Sequence, residues 1–297
     1  MISFPDLKIE VVLDHQCLLG EGPVWDAKRK LIYWIDILRG EIHEFSPEKK
    51  THRALKTNEI IGSVGLCANG NLIAAMKSGF AFIDRISGEI KMINNPESYI
   101  TGNRFNEGKC DPGGRFLAGT MSLTEKPKAG SLYALETDLS FTKKIGEVSV
   151  SNGMSWSPGH EIFYYIDTPT FEIASYDYDK TSGEINNKKV VIKIPRDDGP
   201  PDGMTIDNEG MLWVAHWDGW QITRWNPLTA EKLFAIKLPV KKVTSCAFGG
   251  ENLEDLYITS ASVELAGDEK KAQPLAGSLF VIKNTGFKGI EGFEFKG

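Results

Sequence analysis

The chain has 297 residues, of which 41% are hydrophobic and 25% are charged, and its formal net charge is -6 at pH 7. This composition is typical of a soluble globular protein with enough apolar side chains to build a core. The net negative charge, with lysines in scattered pairs and not in a basic stripe, argues against a nucleic-acid-binding face.

The N-terminal segment and the cysteines indicate a cytoplasmic protein. The opening residues, MISFPDLKIEVVLD, lack the charged and apolar regions of a secretory signal peptide. The longest uncharged stretch, from Ile60 to Met76, is broken by glycine, asparagine and serine, so we expect no membrane span. The cysteines form no CxxC pair, and we expect them to be reduced core residues and not disulfides. They are Cys17, Cys67, Cys110 and Cys246. We also expect the protein to be a monomer or a weak dimer.

Six similar hairpins follow one another along the chain, each made of an apolar run, a turn and another apolar run. They span residues 23–34, 64–75, 109–119, 154–165, 204–214 and 247–258. No long segment has apolar residues at helical spacing, so the pattern predicts an all-β fold. Each hairpin is followed by a further strand-like pair, which gives a repeat of about 40–50 residues with about four strands.

This repeat predicts the architecture. A unit of that size is a β-propeller blade, and six units fill residues 1–297 as a single domain without a linker. We therefore predict a six-bladed β-propeller with four antiparallel strands per blade, and a β-sandwich with similar hairpins is the alternative. We expect residues 7–13 to pair near residues 278–283 as the outer strand of the last blade, which closes the ring without a free edge.

One position recurs about five residues before each turn, at the start of the strand that would line the central channel. It holds Glu21, Gly62, Asn106, Asn152, Asp202 and Ser245 in the six repeats. Two carboxylates facing each other across a narrow channel are costly unless a cation lies between them. Oxygen-only ligands suit Ca²⁺, Mg²⁺ or Mn²⁺ better than a closed structural zinc site.

The remaining candidate motifs are weaker. The histidines are scattered without an HExxH pair, and we interpret them as surface or locally hydrogen-bonded residues; they are His15, His43, His52, His160 and His216. No GxSxG motif is present, which argues against a serine hydrolase. A cation with open positions can polarise a carbonyl, and a nearby carboxylate can deprotonate the attacking water. The residues alone therefore indicate a hydrolase for a small carbonyl substrate.

Seven further stretches of the sequence are GEGPVWD, NRFNEGKCDPGGRFLAGTM, SNGMSWS, FYYID, PDGMTID, EGMLWVA and TSCAFGG. In this order, and over essentially the whole chain, they resemble the regucalcin family, also called the senescence marker protein, gluconolactonase or luciferin-regenerating-enzyme family. The resemblance implies a six-bladed propeller that binds one divalent cation (Ca²⁺, Zn²⁺, Mn²⁺ or Mg²⁺). It also implies a carboxylic-ester hydrolase that opens sugar lactones to aldonic acids.

The resemblance assigns roles residue by residue. Metal ligation falls to Glu21, Asn152 and Asp202, and Asp202 is also the general base. Asn106 lies beside the metal and binds substrate. Arg104 hydrogen-bonds the oxygens of the lactone. The position of Arg104 rests on the resemblance alone, whereas the repeat selects the other four.

The loop after the GTM motif departs from part of the family. Some relatives carry an acidic substrate-contacting residue there, and the corresponding place in this chain is Thr124, followed by Glu125. We therefore take both residues as candidates for substrate binding and leave the preferred lactone open.

A calcium-binding regulatory protein of the regucalcin type, with little or no catalysis, is the alternative function. Calcium buffering has no use for substrate contacts, so the presence of Arg104 and Asn106 favours the enzyme. A propeller that only binds protein partners is a third possibility, and the converging carboxylates argue against it.

Overall fold

The computed structural model describes residues 7–297, whose strands form six four-stranded antiparallel sheets. Blade 1 contains β2(Gly20–Asp26), β3(Leu31–Asp36), β4(Glu41–Ser46) and β5(Thr51–Lys56). Blade 2 contains β6(Ile61–Leu66), β7(Leu72–Met76), β8(Gly79–Ile83) and β9(Ile90–Asn94). Blade 3 contains β10(Asn103–Cys110), β11(Phe116–Ser122), β12(Gly130–Leu135) and β13(Phe141–Val148).

The second half of the chain repeats this arrangement. Blade 4 contains β14(Ser151–Trp156), β15(Ile162–Asp167), β16(Glu172–Tyr178) and β17(Ile185–Lys193). Blade 5 contains β18(Pro201–Ile206), β19(Leu212–His216), β20(Gln221–Asn226) and β21(Glu231–Lys237). Blade 6 contains β22(Val243–Gly249), β23(Asp255–Ser260), β24(Leu279–Ile282) and, from the start of the described chain, β1(Ile9–Leu13). The predicted six-bladed propeller is confirmed.

The ring closes through the N-terminal strand, as the sequence predicts. β1 pairs antiparallel with β24, with Ile9 opposite Ile282, and so forms the outer strand of blade 6. The first strands of the blades contact one another in cyclic order, and β22 returns to β2. Gly62 permits one of these close approaches, because a Cβ atom there would lie 2.3 Å from the backbone carbonyl carbon of Phe105. Apolar side chains of neighbouring blades pack together between the sheets.

Buried aspartates close the first hairpin turn in blades 1, 3 and 5. Asp26, Asp111 and Asp207 each accept a backbone N–H from the turn, at 2.9, 2.7 and 2.9 Å. Asp207 also accepts hydrogen bonds from Trp213 Nε1 and Arg224 Nε at 2.9 and 2.8 Å, so this buried carboxylate is fully satisfied. These contacts explain why Asp precedes the turn in three repeats.

The chain after β24 crosses the hairpin turns at one end of the ring. Phe295 bridges to Cys67 of blade 2, and Gly289 bridges to Asp207 of blade 5. Phe293 and Ile290 of this segment line a cavity of about 110 Å³ at that end. The ring residues lie at the other end of the same strands, so the C-terminal segment covers the opposite mouth of the channel.

The remaining elements are short. The helix α1(Gly267–Ala272) lies between β23 and β24, and 3₁₀ turns cover Thr168–Thr170 and Arg196–Asp198. Across residues 7–297, no helix has the length and apolar character needed to cross a membrane. The cysteines at positions 17, 67, 110 and 246 are free and buried, as expected from the sequence.

Candidate active site

The first strand of every blade has a break in pairing at or beside the predicted ring position. The register of β2 shifts between Glu21 and Val24, and equivalent shifts occur in β6, β10, β14, β18 and β22. A β-bulge re-aims the side chain beside it. The repeated bulge therefore places the ring residue of each blade at the same end of the channel, and in every blade except blade 2, where it is Gly62, this residue is polar.

In blade 6 the ring position is Thr244, one residue before the predicted Ser245. Thr244 is the residue left unpaired between two paired residues, as Gly62 and Asn106 are in blades 2 and 3. The cause is that β22 is one residue longer between the bulge and the turn. The Thr244 hydroxyl donates to the carbonyl of Gly20 at 2.6 Å, so this blade contributes a contact to the neighbouring blade.

Glu21 and Asp202 come from blades 1 and 5, and both are buried. Burial raises the pKa of Glu21 well above its ordinary value, and the nearby carboxylates of Asp202 and Glu107 raise it further. Burial likewise raises the pKa of Asp202 well above its ordinary value, and Glu107 adds to this effect. The structure therefore brings together carboxyl groups whose ionised forms are unfavourable unless further positive charge is bound nearby.

Asn152 on β14 presents an unpaired oxygen to this site. Its Nδ2 donates to Thr168 Oγ1 at 3.0 Å, and the Thr168 hydroxyl donates in turn to the carbonyl of Pro201 at 2.9 Å. The amide is thereby oriented, while its Oδ1 is buried without a hydrogen-bond partner in the described chain. A buried polar atom without a partner costs about 1–3 kcal/mol. A carboxamide oxygen beside Glu21 and Asp202 fits an oxygen-binding divalent cation.

Arg104 and Asn106 form a connected pair on β10. Arg104 Nη1 donates to Asn106 Oδ1 at 2.7 Å and to the carbonyl of Phe105 at 3.0 Å. Asn106 Nδ2 donates to the carbonyl of Ser151 at 2.8 Å. Burial lowers the pKa of Arg104 to about 10, and Glu21, Glu125 and Asp202 act in the opposite direction. Asn106 therefore holds the Arg104 guanidinium at the site, and other guanidinium N–H groups remain to bind a ligand.

The loop candidates differ in their relation to Arg104. Thr124 and Glu125 are both exposed, in the loop between β11 and β12. The Thr124 hydroxyl lies 3.1 Å from that of Ser122, a contact inside the loop. The charge of Glu125, by contrast, acts on the pKa of Arg104. Of the two, Glu125 is the residue that the structure connects with the site.

The sequence did not predict Glu107 and Thr168 at the site or Lys109 deeper in the channel, where it also lines the cavity at the opposite end. Glu107 is buried with an unpaired Oε2, and Lys109 Nζ reaches from blade 3 to donate to the carbonyl of Met204 in blade 5 at 2.5 Å. Alternate residues of a strand share a face, so their spacing on β10 is the signal that could have found them. Thr168 lies after β15 and carries no signal in the sequence.

The structure also brings together three histidines that are far apart in the sequence. One ring nitrogen from each of His15, His43 and His52 lies within 4.8 Å of the others. His216 agrees with the interpretation of a locally bonded residue, because its ring nitrogens face the carbonyl of Gly199 and the hydroxyl of Thr223 at 3.0 and 2.6 Å. The sequence did not predict the meeting of the other three.

Comparisons with known proteins agree with this architecture. A family model described as SMP-30/Gluconolactonase/LRE-like region matches residues 19–262. The Bacillus subtilis (strain 168) protein YvrE, named for a proposed sugar lactone lactonase activity, is 42% identical over 90% of this chain and 91% of its own. Regucalcin of Danio rerio is 38% identical over 98% of this chain and 99% of its own. The structure of regucalcin from Agrobacterium tumefaciens str. C58, described as a calcium-binding protein, is 26% identical with a TM-score of 0.93, over 97% of both chains.

Proposed function

The chain belongs to the SMP-30/gluconolactonase/LRE-like family, and we propose that it is a divalent-cation-dependent lactonase that opens sugar lactones to aldonic acids. The observation that carries this proposal is the buried, unpaired Oδ1 of Asn152 beside the carboxylates of Glu21 and Asp202. Three oxygens in this arrangement make a ligand set for a hard cation, with the guanidinium of Arg104 next to it.

The cation would be held by Glu21, Asn152 and Asp202. When bound, it supplies Lewis-acid polarisation of the lactone carbonyl and lowers the pKa of water. The set contains only carboxylate and carboxamide oxygens, which favours Ca²⁺, Mg²⁺ or Mn²⁺. Zn²⁺ should be tested beside them, because it also binds carboxylate oxygens.

The protein side chains would supply orientation and proton transfer. Arg104 donates hydrogen bonds to the lactone oxygens, and Asn106 fixes the guanidinium for this contact. The Asp202 carboxylate takes a proton from the attacking water, an effect typically worth about 10²–10⁴-fold. As the C–O bond of the ring breaks, the departing oxygen takes up a proton, so water and lactone together become the hydroxy acid.

The relatives support the substrate class. YvrE is named for a proposed activity on sugar lactones, and it matches this chain over nearly its whole length. The loop after β11 carries Glu125 close enough to influence Arg104, so we propose that this loop contributes to the choice of lactone.

Replacing Asp202 tests this proposal. In Asp202→Ala the general base and one cation ligand are lost, so lactone turnover is expected to be abolished while the circular dichroism spectrum stays that of the wild type. Asp197→Ala is the matched control, since Asp197 is an exposed acid on the preceding 3₁₀ turn. Near-wild-type turnover by Asp202→Ala would show that the base is assigned incorrectly.

A calcium-binding regulatory role is the second candidate. It is favoured by the relative described as a calcium-binding protein and by the oxygen-only ligand set. Tight calcium binding by the wild type, without turnover of any sugar lactone, would select this role over the enzyme.

A further inference from the structure

Three histidines meet where the segment that closes the ring passes blade 1. His15 lies in the connection between β1 and β2, His43 lies on β4, and His52 lies on β5. The ring centroid of His43 is 4.5 Å from that of His15 and 5.3 Å from that of His52. One ring nitrogen from each residue lies within 4.8 Å of the other two.

The ring nitrogens are arranged for a shared cation. His43 Nδ1 and His52 Nε2 lie 3.1 Å apart and share a hydrogen bond, and this distance is also close to the separation of two adjacent ligand atoms around one metal. Oε2 of Glu41 lies 3.3 Å from Nε2 of His15 and 3.7 Å from Nε2 of His43. Only the contact with His15 is within hydrogen-bond distance, and a carboxylate that accepts from Nε2 of His15 leaves the lone pair on its Nδ1, which is how metal-binding histidines are commonly oriented.

The surroundings keep the cluster fixed and accessible. The indole of Trp34 stacks on the rings of His43 and His52, with centroids 4.8 and 5.8 Å away. His43 is buried, and burial together with the other two histidines lowers its pKa to about 3, so its imidazole is neutral. His52 is exposed and leaves a path for an ion from solvent.

We propose that His15, His43 and His52 form a second metal site, which binds a nitrogen-preferring dication such as Zn²⁺, Cu²⁺ or Ni²⁺ and ties the ring-closing segment to blade 1. Imidazole ligands favour these ions, whereas the oxygen ligands at the channel mouth favour Ca²⁺, Mg²⁺ or Mn²⁺. The site joins β4 and β5 of blade 1 to the segment that leads from the outer strand of blade 6. A bound ion would therefore restrain the junction at which the two ends of the ring meet.

Because the proposed ligands are imidazole nitrogens, the spectrum of bound Cu²⁺ can test the site without any measurement of catalysis. Cu²⁺ is added to metal-stripped protein without a histidine tag, and the electron paramagnetic resonance spectrum is examined for nitrogen couplings. We expect these couplings in the wild type and in Asp202→Asn, and their loss in His15→Ala/His52→Ala. His160→Asn is the control for loss of a histidine elsewhere, and asparagine tolerates the positive φ at that position. Absence of nitrogen coupling in the wild type, or its persistence in the double variant, would overturn the proposal.

The restraint at the ring junction has its own test. Zn²⁺ should raise the Tm of the wild type more than that of His15→Ala/His52→Ala, because a ligand that binds only the folded state stabilises it and only the wild type retains this site. Glu41→Gln should weaken Zn²⁺ binding about 10–100-fold through loss of the orienting carboxylate. An equal rise in Tm for the wild type and the double variant would exclude the ring junction as the site of stabilisation.

Discussion

Thr168 should control cation affinity although it would not touch the cation. Its hydroxyl accepts from Asn152 Nδ2 at 3.0 Å and donates to the carbonyl of Pro201 at 2.9 Å. Thr168→Val keeps the shape of the side chain and removes both hydrogen bonds, so the Asn152 amide loses its fixed orientation. Loss of a partner that orients a metal ligand typically costs about 10–100-fold in affinity. We expect that loss for Ca²⁺ binding, measured by calorimetry on metal-stripped protein.

Thr170 offers a matched control on the same 3₁₀ turn. It is exposed, and its hydroxyl donates to the backbone carbonyl of Asp167 at 2.7 Å, away from Asn152. Thr170→Val removes this hydrogen bond and the one that the hydroxyl accepts from the Glu172 N–H at 3.2 Å, each typically worth about 0.5–1.5 kcal/mol of stability, without disturbing the ligand set. Wild-type calcium affinity in Thr168→Val, or the same loss in Thr170→Val, would refute the orienting role of Thr168.

Three further predictions concern binding, acid stability and packing. Arg104→Lys should lower kcat/KM about 10–100-fold, the loss typical of a hydrogen bond from a charged group, and an unchanged value in lactone assays would remove Arg104 from the substrate site. Burial lowers the pKa of His216 to about 4 from 6.5, so its neutral form stabilises the fold above pH 6.5 and this stability is lost as the pH falls through about 4. Between pH 7 and about pH 4 the wild type should therefore lose roughly 3 kcal/mol more than His216→Gln in urea unfolding, and equal losses would contradict this. Gly62→Ala should destabilise the protein by at least about 1–3 kcal/mol in the same assay because its Cβ would overlap the backbone of Phe105, and a wild-type midpoint would show that the strands can separate.

The repeat made much of the fold predictable. The six hairpins and their spacing specify the blades, and an apolar N-terminal run without a partner indicates the strand that closes the ring. The same repeat places Glu21, Asn106, Asn152 and Asp202 at equivalent positions, because a propeller brings equivalent residues of its blades to one end of the channel. In blade 6 the repeat predicts Ser245, one residue after the true position, because the extra residue of β22 between its bulge and its turn is set by strand pairing and not by turn chemistry.

Contacts between distant segments account for what the sequence did not predict. Thr168 reaches Asn152 only because the chain after β15 folds back over β14. The C-terminal segment carries no periodic pattern, and its place across the hairpin turns depends on single bridges such as Phe295 with Cys67. The histidines at 15, 43 and 52 meet through ring closure, which no local pattern records.

The most direct test of the proposed lactonase is a pH-indicator assay of acid release by metal-stripped protein. A panel of sugar lactones and simple aryl esters is tested with Ca²⁺, Mg²⁺, Mn²⁺ and Zn²⁺ added back one at a time, with Asp202→Ala alongside. The site described above predicts turnover of a sugar lactone that returns with a divalent cation and is absent in Asp202→Ala. No turnover of any lactone with any of these cations, in a protein that still binds calcium tightly, would contradict it.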